Sequence, residues 1–527
     1  MRRARGGARS GSPSLPQLRR DQRQALTTRA LQQVIKCTAV GQEMLDAIVS
    51  ILITEKTRQG TPLLPTNLGL QRRQDYVNSC TGPKRARYQS ALDSSLGGKM
   101  QAKWFNCTMF VKTENFNPGD KVQPDPRAII FRDPRGALIL RQVVGPIEEK
   151  FYQTGSSPNT FPNVGPIFGK GRDSLARAAM VMDNLRAFSK PAVVAADATR
   201  FDRTINANLH DAKFSLMGHM SGRAGKRILK QTREWYLHPT IRSTAGHKIK
   251  PKCESLKSGD MDTALGNNIV AYVIHIAFRN FLLGKLADDL QSRVEGLVGK
   301  PSGKLRDHEY AVLIDGDDVQ FIVEEETLTW VAPLFTPFFA LFGVNMRIDH
   351  VARTPEDVEW CQAKPVQVEP GIWRMVRMPR KVVSSALSGP RWLVGEKGMR
   401  RRAKAIGECE LVLNGGVPVL SAFASALKRA GGGHKPSELE NCGTRWRHSI
   451  EVRAGNAARA GLDKAVPITT TARISFWASF GITPDEQVRM EGAWERWQLP
   501  ITAVDVGFDQ REWAFIGLPR LPDLSRL

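Results

Sequence analysis

The sequence predicts an α+β fold in which helices flank an antiparallel sheet. Residues 310–323 contain two apolar, β-branched runs separated by Asp-Gly-Asp-Asp at 315–318, the pattern of a hairpin with acids at its turn. Residues 191–205 have the pattern of a strand that ends in an acid and then turns into a helix. The apolar run 268–286 is interrupted by single charges, which is typical of a buried amphipathic helix. The middle of the chain therefore supplies both strands and the helices to cover them.

The composition indicates a large protein with a polyanionic partner. At 527 residues and 41% hydrophobic, the chain can form several cores, and its length predicts roughly two to four domains or one large multi-part enzyme. Its 76 Lys and Arg against 52 Asp and Glu give a net charge of +24, which favours nucleic acid or an anionic membrane surface as the partner. The seven scattered cysteines include no C-x-x-C pair, which argues against a disulfide framework or a zinc site and predicts a reducing compartment.

No segment is predicted to direct secretion or to cross a membrane. The first thirty residues are rich in arginine and lack the apolar core of a signal peptide. The uncharged run 328–345 is near the lower length limit for a membrane span, and Pro333 and Pro337 fit a buried helix better.

The N-terminal part of the chain is basic. Residues 1–23 could contact phosphates or form an ordinary solvated tail. Apolar spacing predicts a helix within 24–54, and residues 110–114 have the pattern of a short strand. The basic segment that follows comprises Lys121, Arg127, Arg132, Arg135 and Arg141. On a strand-like frame, these arginines could bind a triphosphate or a nucleic-acid backbone, and the alternative is a solvated charged face.

Acids follow two of the predicted strands. Asp197 ends an apolar run and Asp202 follows five residues later, although Asp197 could instead cap a helix. The turn at 315–318 offers further carboxylates, but Asp-Gly is also the commonest way to turn a hairpin, so a plain solvated turn is the alternative. Each segment alone therefore has an ordinary structural explanation.

The loop 258–267 combines small residues with neutral hydrogen-bonding side chains. Gly259 allows a backbone to approach closely, and the polar side chains suit a sugar hydroxyl. These side chains belong to Ser258, Thr263 and Asn267. The alternative is a plain helix N-terminus with Ser258 as its cap, before a helix from residue 269. Residues 165–171 lack the spacing and the Ser or Thr of a P-loop, so no phosphate site is predicted there.

Taken together and in order, these segments resemble the viral RNA-dependent RNA polymerases of the right-hand type, and among them the tombusvirus-like polymerases. Arginines suited to phosphates, an Asp-x4-Asp after a strand, a Ser-Gly-x3-Thr-x3-Asn loop and a Gly-Asp-Asp hairpin follow one another as in that family. The matching segments are 110–114, 126–129, 132–135, 197–202, 258–267, 360–365, 405–410 and 414–418. The resemblance implies a fingers, palm and thumb fold with an antiparallel palm sheet.

The resemblance implies two-metal nucleotidyl transfer. Asp197 and Asp317 are the implied principal ligands of two Mg²⁺ ions, with Asp318 in support and Mn²⁺ as an alternative ion. Two such ions, about 4 Å apart, lower the pKa of a primer 3′-hydroxyl and neutralise charge on the α-phosphate and on the pyrophosphate that is released. Carboxylates suit this task because Mg²⁺ prefers oxygen ligands.

The resemblance also implies how the nucleotide is recognised. The residues implied for the ribose 2′-hydroxyl are Asp202, Ser258, Gly259, Thr263 and Asn267. Those implied for the triphosphate are Arg127, Arg132 and Arg135, and those for the RNA path are Lys112 and Lys121. Where the family has a lysine that protonates pyrophosphate, this chain has Arg347, which could contact pyrophosphate but is a poor general acid because arginine is essentially never deprotonated.

The implied domains are an N-terminal arm and helical extension (1–70), fingers (71–190), a palm (191–378) with a fingers insertion at about 206–255, and a thumb with the C-terminal region (379–527). The expected function is replication of a viral RNA genome from ribonucleoside triphosphates. The expected partners are RNA template and product and other viral or host replication proteins, at membrane-associated complexes in the host cytoplasm. A DNA-making palm enzyme is one rival, which Asp202 disfavours because DNA makers usually place a bulky side chain at the sugar position. The other rival, a non-catalytic RNA-binding protein, is disfavoured by the three carboxylates.

Overall fold

The computed structural model describes most of the chain between residues 34 and 498. The described ranges are 34–56, 60–112, 127–154, 160–198, 200–244, 246–250, 254–387, 395–436, 461 and 463–498.

The described ranges contain both helices and strands. The helices are α1 (Ala39–Thr54), α2 (Arg73–Ser79), α3 (Gly82–Asp93), α4 (Pro134–Phe151), α5 (Ser174–Leu185), α6 (Phe201–Thr204), α7 (Ala207–Leu237), α8 (Thr263–Leu282), α9 (Asp288–Val298), α10 (Glu325–Ala340), α11 (Pro379–Leu387), α12 (Gly395–Asn414), α13 (Leu420–Gly431), α14 (Thr470–Phe480) and α15 (Pro484–Arg496). The strands are β1 (Cys107–Val111), β2 (Ala128–Arg132), β3 (Pro191–Ala198), β4 (Ile241–Ser243), β5 (Lys248–Ile249), β6 (Ala311–Asp315), β7 (Asp318–Glu324), β8 (Met346–Ala352), β9 (Ala363–Glu369) and β10 (Ile372–Arg377).

The central sheet has four antiparallel strands in the order β6-β7-β3-β8. Strands β6 and β7 form the predicted hairpin, in which Asp315 pairs with Asp318. Strand β3 lies between β7 and β8, and on the β8 side Asp197 pairs with Arg347. Because β3 runs antiparallel to β7, the C-terminal end of β3 lies beside the β6-β7 turn. The two acid-bearing segments therefore meet at one edge of the sheet.

The two faces of the central sheet belong to different cores. Val194 and Phe321 pack into the larger core, which includes helix α8. Val193 packs on the opposite face with residues of α5 and with Trp360. Since side chains alternate along a strand, Asp197 lies on the same face as Val193.

Helix α8 lies at the centre of the larger core. All of its residues from Leu265 to Leu282 are buried. Its aromatic side chains meet those of α10, as where the ring centroids of Phe278 and Phe335 lie 5.4 Å apart.

Among the helices that the structure describes, none is long and apolar enough to span a membrane.

The arginine-bearing segment lies partly in a second sheet, with the order β2-β1-β4-β5. Strand β2 ends at Arg132, and helix α4 begins at Pro134, where the Asp133 carboxylate accepts a hydrogen bond from the Arg135 N–H at 2.9 Å. An aspartate cap followed by proline favours a helix start. The prediction of a strand-like frame was therefore wrong for Arg135 and Arg141, which lie in α4.

The C-terminal elements have a core of their own. Strands β9 and β10 and helices α11 to α15 contribute to it, with Val366, Phe423 and Trp494 among the fully buried side chains. The ring centroids of Phe423 and Trp494 lie 4.9 Å apart.

The α+β class with an antiparallel central sheet is confirmed, as is the hairpin. One helix start differs from the prediction, since α8 begins at Thr263 rather than at residue 269. Asp262 occupies its cap position, and Arg200 occupies that of α6, so neither Ser258 nor Asp197 caps these helices.

Candidate active site

The β6-β7 turn presents an acid at the edge of the central sheet. Gly316 has a φ of +77°, in the left-handed region that glycine adopts readily. Its N–H donates to Asn268 Oδ1 at 3.1 Å, so helix α8 fixes the turn. Asp317 follows at the exposed tip. The sequence singled out Asn267 but missed its neighbour Asn268, because no local pattern shows that this side chain reaches the hairpin.

Asp197 lies beside this turn, and its side chain is 49% exposed. Partial burial raises the pKa of Asp197, and the carboxylates of Asp349 and Asp317 raise it further. The pKa of Asp317 is also raised, first by desolvation and then by Asp315, whereas Arg127 lowers it. The site therefore has an excess of negative charge, which a bound cation would offset.

Asp318 begins strand β7 and is partly buried. Its Oδ2 accepts a hydrogen bond from the Cys361 N–H at 2.9 Å. Burial raises the pKa of Asp318 to about 6, with further increases from Asp317 and Asp315, although the Cys361 N–H opposes the shift. One oxygen of Asp318 is therefore committed to the protein.

The acids fit Mg²⁺ by their chemistry. Within the described ranges, no group of three or more His, Cys, Asp or Glu side chains is already arranged to hold an ion. Mg²⁺ is usually bound by one or two carboxylates and completed by water and substrate phosphates, so a preformed protein cage is not required. Asp197 and Asp317 offer two such carboxylates, and Asp318 offers its second oxygen.

A hydrogen-bonded pair lies next to the turn. Asn267 Nδ2 donates to Asp202 Oδ1 at 2.8 Å. The Oδ1 of Asn267 is buried and accepts no hydrogen bond from the described residues. The position where a Gly316 Cβ would stand is 3.7 Å from the Asn267 Cβ, so the pair adjoins the hairpin. A buried acceptor of this kind suits a hydroxyl donor from a ligand.

The loop before α8 packs on strand β2. Ser258 Oγ donates to a β2 carbonyl at 2.9 Å, and the Gly259 N–H donates to the Ile130 C=O at 2.9 Å. A Cβ on Gly259 would lie 2.9 Å from the same oxygen, which only glycine avoids without a shift. Thr263 Oγ1 donates to a backbone carbonyl at 2.8 Å. Both hydroxyl protons are used inside the protein, so Ser258 and Thr263 could meet a ribose only as acceptors.

Two buried ion pairs anchor this loop. Arg132 forms a bidentate pair with Asp260, at 2.8 Å from Nε to Oδ1 and 2.6 Å from Nη2 to Oδ2, and both side chains are fully buried. Arg132 Nη1 also donates to the Phe105 C=O at 2.9 Å. Lys213 Nζ lies 2.7 Å from Asp262 Oδ2, and this pair is buried too. The loop is therefore tied to strand β2 and to helix α7.

This geometry contradicts the expectation that Arg132 holds the triphosphate. Its guanidinium is enclosed and hydrogen-bonded, and exposing it would break a buried ion pair at a cost of about 3–5 kcal/mol. The sequence did not reveal that Arg132 forms a structural ion pair, because its partner Asp260 lies 128 residues away along the chain.

The other basic candidates are closer to solvent. Arg135 Nη2 lies 2.8 Å from Asp133 Oδ2 in its own turn. Arg127 is exposed and near enough to Asp317 to lower its pKa. Lys112 is exposed just after β1, and its N–H donates to the Arg127 C=O at 2.7 Å. Lys121 lies outside the described residues.

Arg347 is a cation at the border of the acid site. Its Nε lies 2.8 Å from Asp349 Oδ1, and its Nη2 lies 3.7 Å from Asp197 Oδ2. With a side chain that is 61% exposed, it can exchange these partners for an anionic ligand.

Comparisons with known proteins identify the family of the chain. A family model described as viral RNA dependent RNA polymerase matches residues 41–282 and 302–502. The chain is 27% identical over 425 residues to the RNA-directed RNA polymerase of groundnut rosette virus (strain MC1), a match that covers 80% of this chain and 46% of the relative. It is 26% identical over 452 residues to that of tomato bushy stunt virus (strain Cherry), and this match covers 83% of this chain and 48% of the relative. It is 28% identical over 435 residues to that of turnip crinkle virus, and this match covers 81% of this chain and 50% of the relative.

The chain thus spans about half the length of the curated relatives it matches. The family match, in contrast, extends over most of the chain and includes every acid of the site described above. The chain belongs to the viral RNA-dependent RNA polymerase family.

Proposed function

We propose that the chain catalyses template-directed addition of ribonucleoside triphosphates to RNA, with release of pyrophosphate. The observation that carries the proposal is the meeting of Asp197, at the end of strand β3, with Asp317, in the β6-β7 turn, at one edge of the central sheet. The names of the relatives, RNA-directed RNA polymerase, support the same reaction class.

Each charged group of the site has a role in this reaction. Asp197 and Asp317 would hold two Mg²⁺ ions, or Mn²⁺ in their place, and Asp318 would add its second oxygen. Such ions lower the pKa of a primer 3′-hydroxyl and neutralise charge on the α-phosphate and pyrophosphate. Arg127 binds the triphosphate electrostatically, supported by its position near Asp317. Arg347 stabilises the pyrophosphate charge but does not donate a proton, because arginine stays protonated.

Ribose selection is proposed for the pair beside the turn. The Oδ1 of Asn267, which has no hydrogen-bond partner among the described residues, accepts a hydrogen bond from the ribose 2′-hydroxyl, and Asp202 orients the amide through its 2.8 Å contact. A deoxyribonucleotide would leave this buried acceptor without a donor, which carries a free-energy penalty. Ser258, Gly259 and Thr263 hold the loop in place rather than supply the main ribose contact.

The proposed architecture is that of a right hand. The central sheet and α8 would form the palm (191–378), with the β2-β1-β4-β5 sheet in the fingers (71–190 and an insertion at about 206–255). The C-terminal core would form the thumb (379–527), and residues 1–70 an N-terminal arm and helical extension. Lys112 and Lys121 would line the RNA path.

The setting of the reaction is also a proposal. The +24 charge supports binding of RNA template and product. We place the protein at membrane-associated replication complexes in the host cytoplasm, together with other viral or host replication proteins.

Extension of a defined RNA template in the presence of Mg²⁺ tests the proposed function. The expected product is complementary RNA made from NTPs, with dNTPs used poorly. RNA binding without any incorporation would contradict the proposed function, and equal use of NTPs and dNTPs would contradict ribose selection by Asn267.

A further inference from the structure

Two acids of the hairpin lie directly opposite each other. Asp315 ends β6, Asp318 begins β7, and their Cα atoms are partners in the antiparallel register. Like charges that face each other across a strand pair are destabilising. The hairpin tolerates this arrangement because each acid has a separate partner outside the sheet.

Asp315 is paired with Arg177 of helix α5. Arg177 Nη2 forms an ion pair with Asp315 Oδ2, and the two side chains are only 13% and 14% exposed. The guanidinium also lies over the ring of Trp360, 5.2 Å from its centroid. Cys361 Sγ is a second, weaker contact of the same carboxylate oxygen at 3.6 Å. Arg177 therefore offsets the charge of Asp315 and holds it on the α5 side of the hairpin.

Asp318 is held by the turn that follows Trp360. The Cys361 N–H donates to its Oδ2 at 2.9 Å, and Trp360 Nε1 donates to its backbone C=O at 3.2 Å. Cys361 and Gln362 have φ values of +53° and +59°, which are unfavourable for residues other than glycine. Backbone strain of this kind persists only where the surroundings enforce it and is concentrated at functional sites.

The turn at 360–362 is braced by the segment 165–171. The Gly169 N–H donates to the Ile314 C=O at 2.9 Å, along the outer edge of β6. A Cβ on Gly169 would lie 2.5 Å from the Trp360 ring, so the two surfaces are in direct contact. Trp360 is therefore fixed between this segment, Arg177 and the hairpin.

We infer that Arg177, with the turn formed by Trp360, Cys361 and Gln362, is a clamp that positions the catalytic hairpin. Resting on the proposed function, this assigns Arg177 as a positioning residue that keeps Asp315 out of the metal site. Asp317 is then the hairpin carboxylate that has neither an ion pair nor a hydrogen bond to another segment among the contacts described above. Without Arg177, the Asp315 carboxylate would repel Asp318 and compete with it for a cation.

Hydrogen exchange of the metal-free protein tests the clamp without relying on activity. In Arg177→Met, the amides of residues 311–324 should exchange about tenfold faster or more, the factor expected for loss of one hydrogen bond to a charged group. Adding Asp315→Asn should restore most of the protection, because it removes the uncompensated charge. Arg186→Met is the matched control, since Arg186 follows the same helix, is 65% exposed and forms an ion pair with the partly exposed Asp183.

The same variants should differ in nucleotide addition. Arg177→Met should lower kcat about tenfold at unchanged KM for NTP, and the double variant should recover most of it. Unchanged exchange in Arg177→Met, or a lower melting temperature at wild-type kcat, would overturn the clamp. Failure of Asp315→Asn to rescue exchange would also overturn it. If the wild type adds no nucleotide while exchange changes and is rescued as expected, the proposed function fails and the clamp stands.

Should Arg177→Met fail to fold, Arg177→Lys provides the test. It keeps the charge but loses the planar fork and the contact with Trp360. Exchange of residues 311–324 should then be faster than in the wild type, and wild-type exchange would contradict the geometry.

Discussion

The substitution Arg132→Met removes the guanidinium that pairs with Asp260 and leaves that carboxylate buried without a partner. Removing one member of a buried ion pair costs about 3–5 kcal/mol, because the remaining charge is desolvated and uncompensated. We therefore expect a large fall in melting temperature and in the denaturant midpoint. The loop 258–267 should lose protection from hydrogen exchange first, since Asp260 lies within it.

Two further variants make this prediction specific. In the double variant Arg132→Met with Asp260→Asn, no unpaired charge stays buried, so its loss of stability should be clearly smaller than the sum of the two single losses. Arg135→Met serves as the control, because its pair with Asp133 is partly exposed and is expected to contribute only about 0–1 kcal/mol.

The outcome also decides between two roles for Arg132. If it held the triphosphate, Arg132→Met would melt close to the wild type and show a raised KM for NTP. That combination would refute the structural role and restore the triphosphate role.

Three other substitutions probe the turn and its neighbours. Asn267→Ala should reduce discrimination of NTP over dNTP, measured as the ratio of kcat/KM values, by about tenfold for one lost hydrogen bond, and an unchanged ratio would argue against ribose contact. Burial raises the pKa of Asp318 from 3.8 to about 6. Ionisation of this carboxyl therefore lowers the free energy of unfolding as the pH rises from about 4 to 6. In EDTA, Asp318→Asn should accordingly melt at a higher temperature than the wild type at pH 7. This difference should vanish near pH 4 and shrink on addition of Mg²⁺, and a difference independent of pH would contradict the assignment. Gly316→Ala should destabilise the hairpin by about 1–2 kcal/mol, since φ is +77° there, and wild-type exchange of residues 311–324 would contradict this.

Local patterns in the sequence predicted the elements that carry the acids. The hairpin and strand β3 follow from short apolar runs and turn chemistry, which act between neighbouring residues. The start of helix α4 was also readable, because Asp133 and Pro134 are start signals, but the run of arginines suggested a strand instead.

Long-range pairs could not be predicted in the same way. The pairs Arg132–Asp260 and Arg177–Asp315 join residues 128 and 138 positions apart. A buried arginine and an exposed one look alike in a sequence, because burial is decided by how distant elements pack. The sequence therefore identified arginine as a residue type of the site. Which arginines form buried ion pairs and which can bind a ligand could be decided only from the fold.

Single-turnover nucleotide addition by Asp317→Asn and Asp197→Asn, with RNA binding measured in parallel, tests the central claim most directly. Both variants should lose incorporation and keep RNA affinity, because binding is mainly phosphate electrostatics supplied by a chain of net charge +24. Incorporation by either variant at close to the wild-type rate would contradict the assignment of these two acids as the metal-binding centre.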